Sequence, residues 1–170
     1  QITFFKVIYR RHTNFSMECI QQTVEGIPAD NGSSTVTISR NGDLVGRIYV
    51  TLENETATTF ITDGMKLVSQ VDLEIGGQLI DRQDDEWMQI WAELTVPGGK
   101  RAGFKHMTSS DGATIDTIVG NVQVPLQFWF CRNPGLALPL IALQYHEVKL
   151  KFTWGAYTDY APSANASLVA

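Results

Sequence analysis

Two runs of alternating apolar and polar residues bracket the greasiest part of this chain. Val122, Val124, Leu126, Phe128 and Phe130 alternate with Gln123, Pro125, Gln127 and Trp129. Val148, Leu150, Phe152 and Trp154 then alternate with Lys149, Lys151 and Thr153. A period of two puts successive side chains on opposite faces of an extended backbone, so each run predicts a strand with one face in a core. Between them, Asn133–Pro134–Gly135 predicts a turn, and "LALPLIAL", residues 136–143, is apolar on all sides with Pro139 inside it. That stretch is far shorter than the roughly 20 apolar residues that cross a bilayer, and the proline interrupts it. It predicts no transmembrane segment but a buried connection, with one helical turn starting near Pro139, that plugs one end of a sandwich. Phe128, Phe130, Leu138, Leu140 and Phe152 are the expected core.

Upstream, Val71, Leu73 and Ile75 alternate with Asp72 and Glu74 and run into Gly76–Gly77. A glycine pair between two strand-like arms predicts a two-residue hairpin, because glycine supplies the positive φ of a primed turn. "STVTISRNGDLVGRIYV" breaks similarly at Asn41–Gly42, either as a hairpin or as a corner between sheets. A single segment has the helical period: Trp87, Ile90, Trp91 and Leu94 fall at i, i+3, i+4 and i+7 behind Asp84, Asp85 and Glu86, which suit the positive end of a helix dipole. "TVPGG" stops it. This spacing places Trp87 and Trp91 in the core. Residues 97–121, polar and Gly-rich, predict a long surface loop. One short helix among about eight strand-like runs argues for an antiparallel sandwich or barrel.

Chemistry is harder to find. The three histidines, His12, His106 and His146, are scattered and outside any HxH or HExxH pattern. The carboxylates at 81–86 lack the order of a calcium loop and are explained by helix-start charge. There is no GxSxG elbow and no phosphate-binding glycine loop. Cys19 and Cys131 form no CxxC pair and read as buried free thiols. Eighteen acidic against thirteen basic residues leave a net charge of −5, and the basic residues are dispersed, so no direct nucleic-acid binding is expected. The residues predict no catalytic, metal or cofactor site. Asn14, Asn31, Asn54 and Asn165 sit in N-x-S/T sequons, for which chance occurrence in a Ser/Thr-rich β protein is the preferred reading.

The blocks "QITFFKVIYRRHTNFSME", "TISRNGDLVGRIYV", "VDLEIGGQLIDR", "EWMQIWAELT" and "PLQFWFCRNPGLALPLIALQYHEVKLKF" occur in this order over most of the chain. Together they closely resemble the N-terminal half of the major capsid protein of nucleocytoplasmic large DNA viruses. The resemblance implies an all-β antiparallel jelly-roll sandwich, the first half of a double jelly roll. It implies a structural, non-enzymatic subunit that forms a homotrimer, a pseudo-hexagonal capsomer that tiles an icosahedral shell. It implies neighbouring capsomers and minor capsid proteins as partners, in a virion capsid assembled in the host cytoplasm. The alternative is a glycan- or receptor-binding β-sandwich module of a capsid paralogue, which would need exposed aromatics on a concave face. With Gln1 at its start and "SANASLVA" at its end, the chain reads as an internal fragment. It is expected to stop before the last strand of its jelly roll and to lack the second jelly roll. A missing strand would leave part of the face of Val148, Leu150, Phe152 and Trp154 open.

Overall fold

A computed structural model of the chain describes residues 12, 14–29, 31–54, 63–109, 122–156 and 164–169. In chain order its strands are β1 (Gln21–Gln22), β2 (Val24–Glu25), β3 (Ser33–Thr37), β4 (Leu44–Val45), β5 (Tyr49–Asn54), β6 (Val68–Ile75), β7 (Gln78–Asp84), β8 (Val122–Pro125), β9 (Leu138–Pro139), β10 (Val148–Trp154) and β11 (Ala164–Val169). Among the described residues three α-helices interrupt them: α1 (Asp85–Thr95), α2 (Arg101–Thr108) and α3 (Trp129–Arg132). One sheet runs β1-β11-β5-β8 and the other β2-β3-β10-β6-β7, all pairs antiparallel, with β4 and β9 forming a small third pair. Passing from β3 to β5 to β6, and from β7 to β8 to β10 to β11, the chain crosses from one large sheet to the other each time. This interleaving is the jelly-roll topology, and the chain is an antiparallel jelly-roll sandwich.

The core fills the space between the sheets. Val148, Leu150, Phe152 and Trp154 all point into it from β10, as the period of two predicts, while Lys149, Lys151 and Thr153 point out. β10 has β3 on one edge and β6 on the other, so the opening expected beside that face is not there. β11 lies in the opposite sheet, between β1 and β5. The one buried indole nitrogen of this cluster is satisfied: Trp154 Nε1 donates to Ser34 Oγ at 2.7 Å.

Several expectations need correction. The strand starting at Val122 ends at Pro125 rather than running through Phe130. Proline has no N–H with which to extend the ladder. The chain then leaves the sheet: Leu126 N donates to Ile48 O, Gln127 N to the Gln83 side chain, and residues 129–132 wind into α3. Phe128, Phe130 and Cys131 are all buried, which a continuing strand could not achieve. Asn133–Pro134–Gly135 therefore follows a helical turn; Asn133 Oδ1 accepts from Gly135 N at 2.9 Å and Pro134 opens a 3-10 turn.

The connection 136–143 is only half buried. Leu138 and Leu140 enter the core, yet Leu136 and Ile141 are 53% and 69% exposed. The pairing of β9 with β4 fixes Leu138 inward, so its neighbours must face out. Asn41–Gly42 forms a corner between sheets, since β3 and β5 lie in different ones. Residues 98–108 are helical rather than loop, and 110–121 lie outside the described residues.

Candidate assembly surface

The two long faces of the five-stranded sheet differ sharply in chemistry. The inner is apolar; the outer is laced with ion pairs. Asp72 and Arg82 stand opposite each other on β6 and β7, and the guanidinium grips the carboxylate at 2.7 and 2.8 Å. That hydrogen bond, with the charge of Arg82, holds the Asp72 carboxyl below the usual carboxylate range. Lys151 reaches Glu74 at 2.6 Å and Lys149 reaches Glu147 at 2.9 Å. Tyr145, 88% exposed, overlooks a shallow groove between Tyr145–Glu147 and the Gly76–Gly77 turn, which is floored by these paired charges. Both ammonium groups there are engaged, Lys149 by Glu147 and Lys151 by Glu74.

The lateral edge beside β7 is different. β7 is an outermost strand, so among the described residues one of its hydrogen-bonding edges has no strand partner. Leu79 and Ile80 on it are 47% and 48% exposed. α1 continues directly from β7. Asp84 caps it, accepting from Trp87 N at 2.7 Å, and Asp85 and Glu86 occupy the first turn, where the helix dipole favours them. Its second tie is Gln89, which donates to Asp63 Oδ2 at 3.1 Å; burial pushes the Asp63 carboxyl up.

The placing of Trp87 and Trp91 in the core is corrected by this helix. Its buried residue is Met88, Trp91 is only partly covered, and Trp87, Ile90 and Leu94 are 38%, 53% and 79% exposed. Met88, Trp91 and Ala92 form a second stripe with helical spacing, and that narrower stripe faces the sandwich. Trp91 belongs to both. Its ring lies 5.6 Å from that of Trp87, and Arg132 of α3 stacks over it with the guanidinium carbon 4.0 Å from the ring centre. Exposed Ile90 and Leu94, with Leu79 and Ile80, are the surface residues that a core reading of the stripe missed. The signal available was the overlap of two helical stripes at Trp91.

The remaining sequence-derived positions are placed as follows. Phe128, Phe130, Leu138, Leu140 and Phe152 are buried. Gly76 and Gly77 join β6 to β7 as a two-residue turn with φ of +60° and +81°. Asn14 and Asn31 are exposed, Asn31 in a turn with φ of +52°. Asn54 and Asn165 lie within the paired strands β5 and β11. Cys19 is exposed, against expectation, whereas Cys131 is buried and desolvation raises its thiol to about 11. A thiol reagent at pH 8 should thus label Cys19 rapidly and spare Cys131 until denaturant is added. Rapid labelling of both in the folded protein would show that α3 opens.

Among the described residues no three His, Cys, Asp or Glu side chains gather as a metal site, and no helix is long and apolar enough to cross a membrane. What the geometry offers is a rigid sandwich with one charged face and one apolar lateral edge. The comparisons with known proteins agree with that architecture. The family model described as "Major capsid protein N-terminus" matches residues 3–167. The major capsid protein of Pyramimonas orientalis virus is 51% identical, aligned over 99% of this chain and 45% of its own length. That of Paramecium bursaria Chlorella virus 1 is 43% identical, over 90% and 36%. Among solved structures, PBCV-1 VP54 fitted into a reconstruction of the virophage Sputnik superposes with a TM-score of 0.77 at 38% identity, covering 98% of this chain and 44% of that one. A quasi-atomic model of the PBCV-1 virus capsid gives 0.76 at the same identity. The chain spans less than half the length of these relatives. With the family model matched almost end to end and the jelly-roll sheets in place, this chain belongs to the major capsid protein family of large DNA viruses, in the region of that family's N-terminus.

Proposed function

We propose that the chain is the N-terminal jelly roll of a major capsid subunit whose second jelly roll lies outside these 170 residues, and that the subunit trimerises into a pseudo-hexagonal capsomer of an icosahedral shell. The observation that carries this is the match of the capsid family model to residues 3–167 on a chain with jelly-roll sheet order. Its role is mechanical: to fold, associate with neighbouring copies and minor capsid proteins, and tile, with no catalytic step. The host cytoplasm is the expected place of assembly. An apolar lateral edge beside a charged sheet face suits that work, because apolar surface drives association while paired charges keep the exposed face solvated.

The glycan-binding alternative gains less from the geometry. Trp87 and Trp91 stand on a convex helix, and Arg132 already occupies a face of the Trp91 ring. Sizing chromatography with light scattering on the intact subunit that carries this chain should give the mass of a trimer. A stable monomer at capsid-forming concentrations would overturn trimerisation. Saturable binding of a glycan array in its place would restore the alternative.

A further inference from the structure

The chain contains two Asn-Gly pairs, Asn31–Gly32 and Asn41–Gly42, and the fold treats them differently. Glycine after asparagine lets the backbone nitrogen approach the preceding side-chain carbonyl closely, because the following residue has no Cβ to hinder it. At the first pair the backbone is tied down. Asn31 N donates to Gly155 O at 3.3 Å, Gly32 N to Ala29 O at 2.8 Å, and Gly32 O accepts from Trp154 N at 2.9 Å. The nitrogen that would attack is already committed as a donor. At the second pair the ties lie only at the flanks. The Arg40 guanidinium donates to Leu143 O at 3.0 Å and His146 O at 3.2 Å, and Asp43 O accepts from Leu140 N at 2.9 Å. Both flanks are thus fastened to the 140–146 connection. Between them Asn41 and Gly42 are exposed, in a bend that belongs to no strand or helix, and a Cβ at 42 would meet nothing within 4 Å. Among the described residues neither the Asn41 side chain nor the Gly42 N–H has a hydrogen-bond partner.

We propose that Asn41, at the corner between β3 and β5, is a site of spontaneous deamidation with water as the only co-reactant. Gly42 N gives its proton to solvent and forms a bond to Asn41 Cγ. The Cγ–Nδ2 bond then breaks, and the side-chain nitrogen leaves as ammonia after taking up a proton from solvent. Water opens the resulting cyclic imide at either carbonyl, leaving aspartate or isoaspartate at 41. The net change converts one amide and one water into one carboxyl group and one ammonia, with nothing oxidised or reduced. In the isoaspartate product the main chain runs through the side-chain methylene, so the segment between Arg40 and Asp43 gains one backbone atom. Both flanks are fastened to the same connection, and the added length loosens that anchorage. Asn31 is spared because its pair reacts only after local opening breaks the bonds at Gly32.

The test incubates the intact subunit in mildly alkaline buffer made with heavy-oxygen water, at physiological temperature, over weeks. Peptide mass spectrometry reads the loss of each amide, and isoaspartyl methyltransferase marks the isoaspartate. Asn41 should lose its amide at least about tenfold faster than Asn31, since opening of a hydrogen-bonded turn precedes reaction at the latter. In denaturant the two rates should converge. Gly42→Ala, which the open corner accommodates, should slow the loss at 41 several-fold. Asn41→Asp brings the charge without the extra atom and should leave amide exchange at Leu140 unchanged, whereas the isoaspartate form should exchange it faster. Asn31 keeping pace with Asn41 in the folded subunit would overturn the proposal. So would an Asn41 that keeps its amide when folded and loses it in denaturant, because the corner would then bar ring closure. An undiminished rate in Gly42→Ala would overturn the cyclic-imide route, and equal exchange at Leu140 in the two acidic forms would overturn the loosening of the connection.

Discussion

Phe128→Ala is expected to destabilise the folded subunit by about 3–5 kcal/mol, the range for deleting a fully buried aromatic ring. Phe128 has no exposed surface, and its ring lies parallel to that of Phe130, centres 5.6 Å apart and planes at 10°. It stands where β8 has ended and α3 begins, and its carbonyl accepts from Cys131 N at 2.9 Å to close that turn. Two things are lost together: the transfer free energy of the ring and the packing of the wall it supports. The backbone around the site is held by hydrogen bonds to Ile48 and Gln83, from β5's approach and from β7, so the cavity has little freedom to collapse. Urea unfolding of the substituted and parent proteins measures the difference. A loss below about 1 kcal/mol would show that residues 125–132 are not the packed junction described.

Phe128 also shows what the sequence could and could not convey. Its burial was legible from period two, but the strand through it was not real. Phe128, Phe130 and Cys131 are all apolar, and a strand would have sent Cys131 to the outer face. A turn of helix brings 130 and 131 inside together, and Pro125 is the local reason the ladder stops there. β10 had no such competitor: Val148, Leu150, Phe152 and Trp154 alternate without a break, and the strand occupies the predicted residues.

The lateral edge was less legible still. Trp87, Ile90, Trp91 and Leu94 satisfy the helical period, and period alone does not say whether a stripe faces its own core or a neighbour. Met88 and Ala92 decided it, because the smaller stripe fits against the 3-10 turn Gly64–Leu67 and β6 while the larger one is left outside. The covering of β10 depended on β3 and β6, which are distant in sequence. No local pattern reports such pairings.

The largest backbone effect is expected at the Gly76–Gly77 turn. Both residues sit at positive φ, +60° and +81°, as a two-residue primed turn between β6 and β7 requires. Valine at either position would cost about 1–3 kcal/mol in backbone strain alone, because a β-branched side chain there is a steric outlier. The two positions should nevertheless differ. A Cβ at 77 would meet nothing within 4 Å, whereas one at 76 would come within 2.6 Å of His146 Nδ1. Gly76 N also donates to Glu147 O at 2.8 Å, so the turn cannot swing away from His146 without losing that bond. Gly77→Asn should therefore be nearly neutral, since asparagine tolerates the left-handed region. Gly76→Asn should be clearly destabilising, and the double valine substitution more so than either, as read by urea unfolding. The consequence reaches past stability. A one-residue slip of β7 against β6 would turn Gln83 away from the Gln127 amide it holds and re-aim α1, which starts one residue after β7 ends. Equal effects at 76 and 77 would mean that His146 moves freely and that the turn is not anchored by the 145–147 segment.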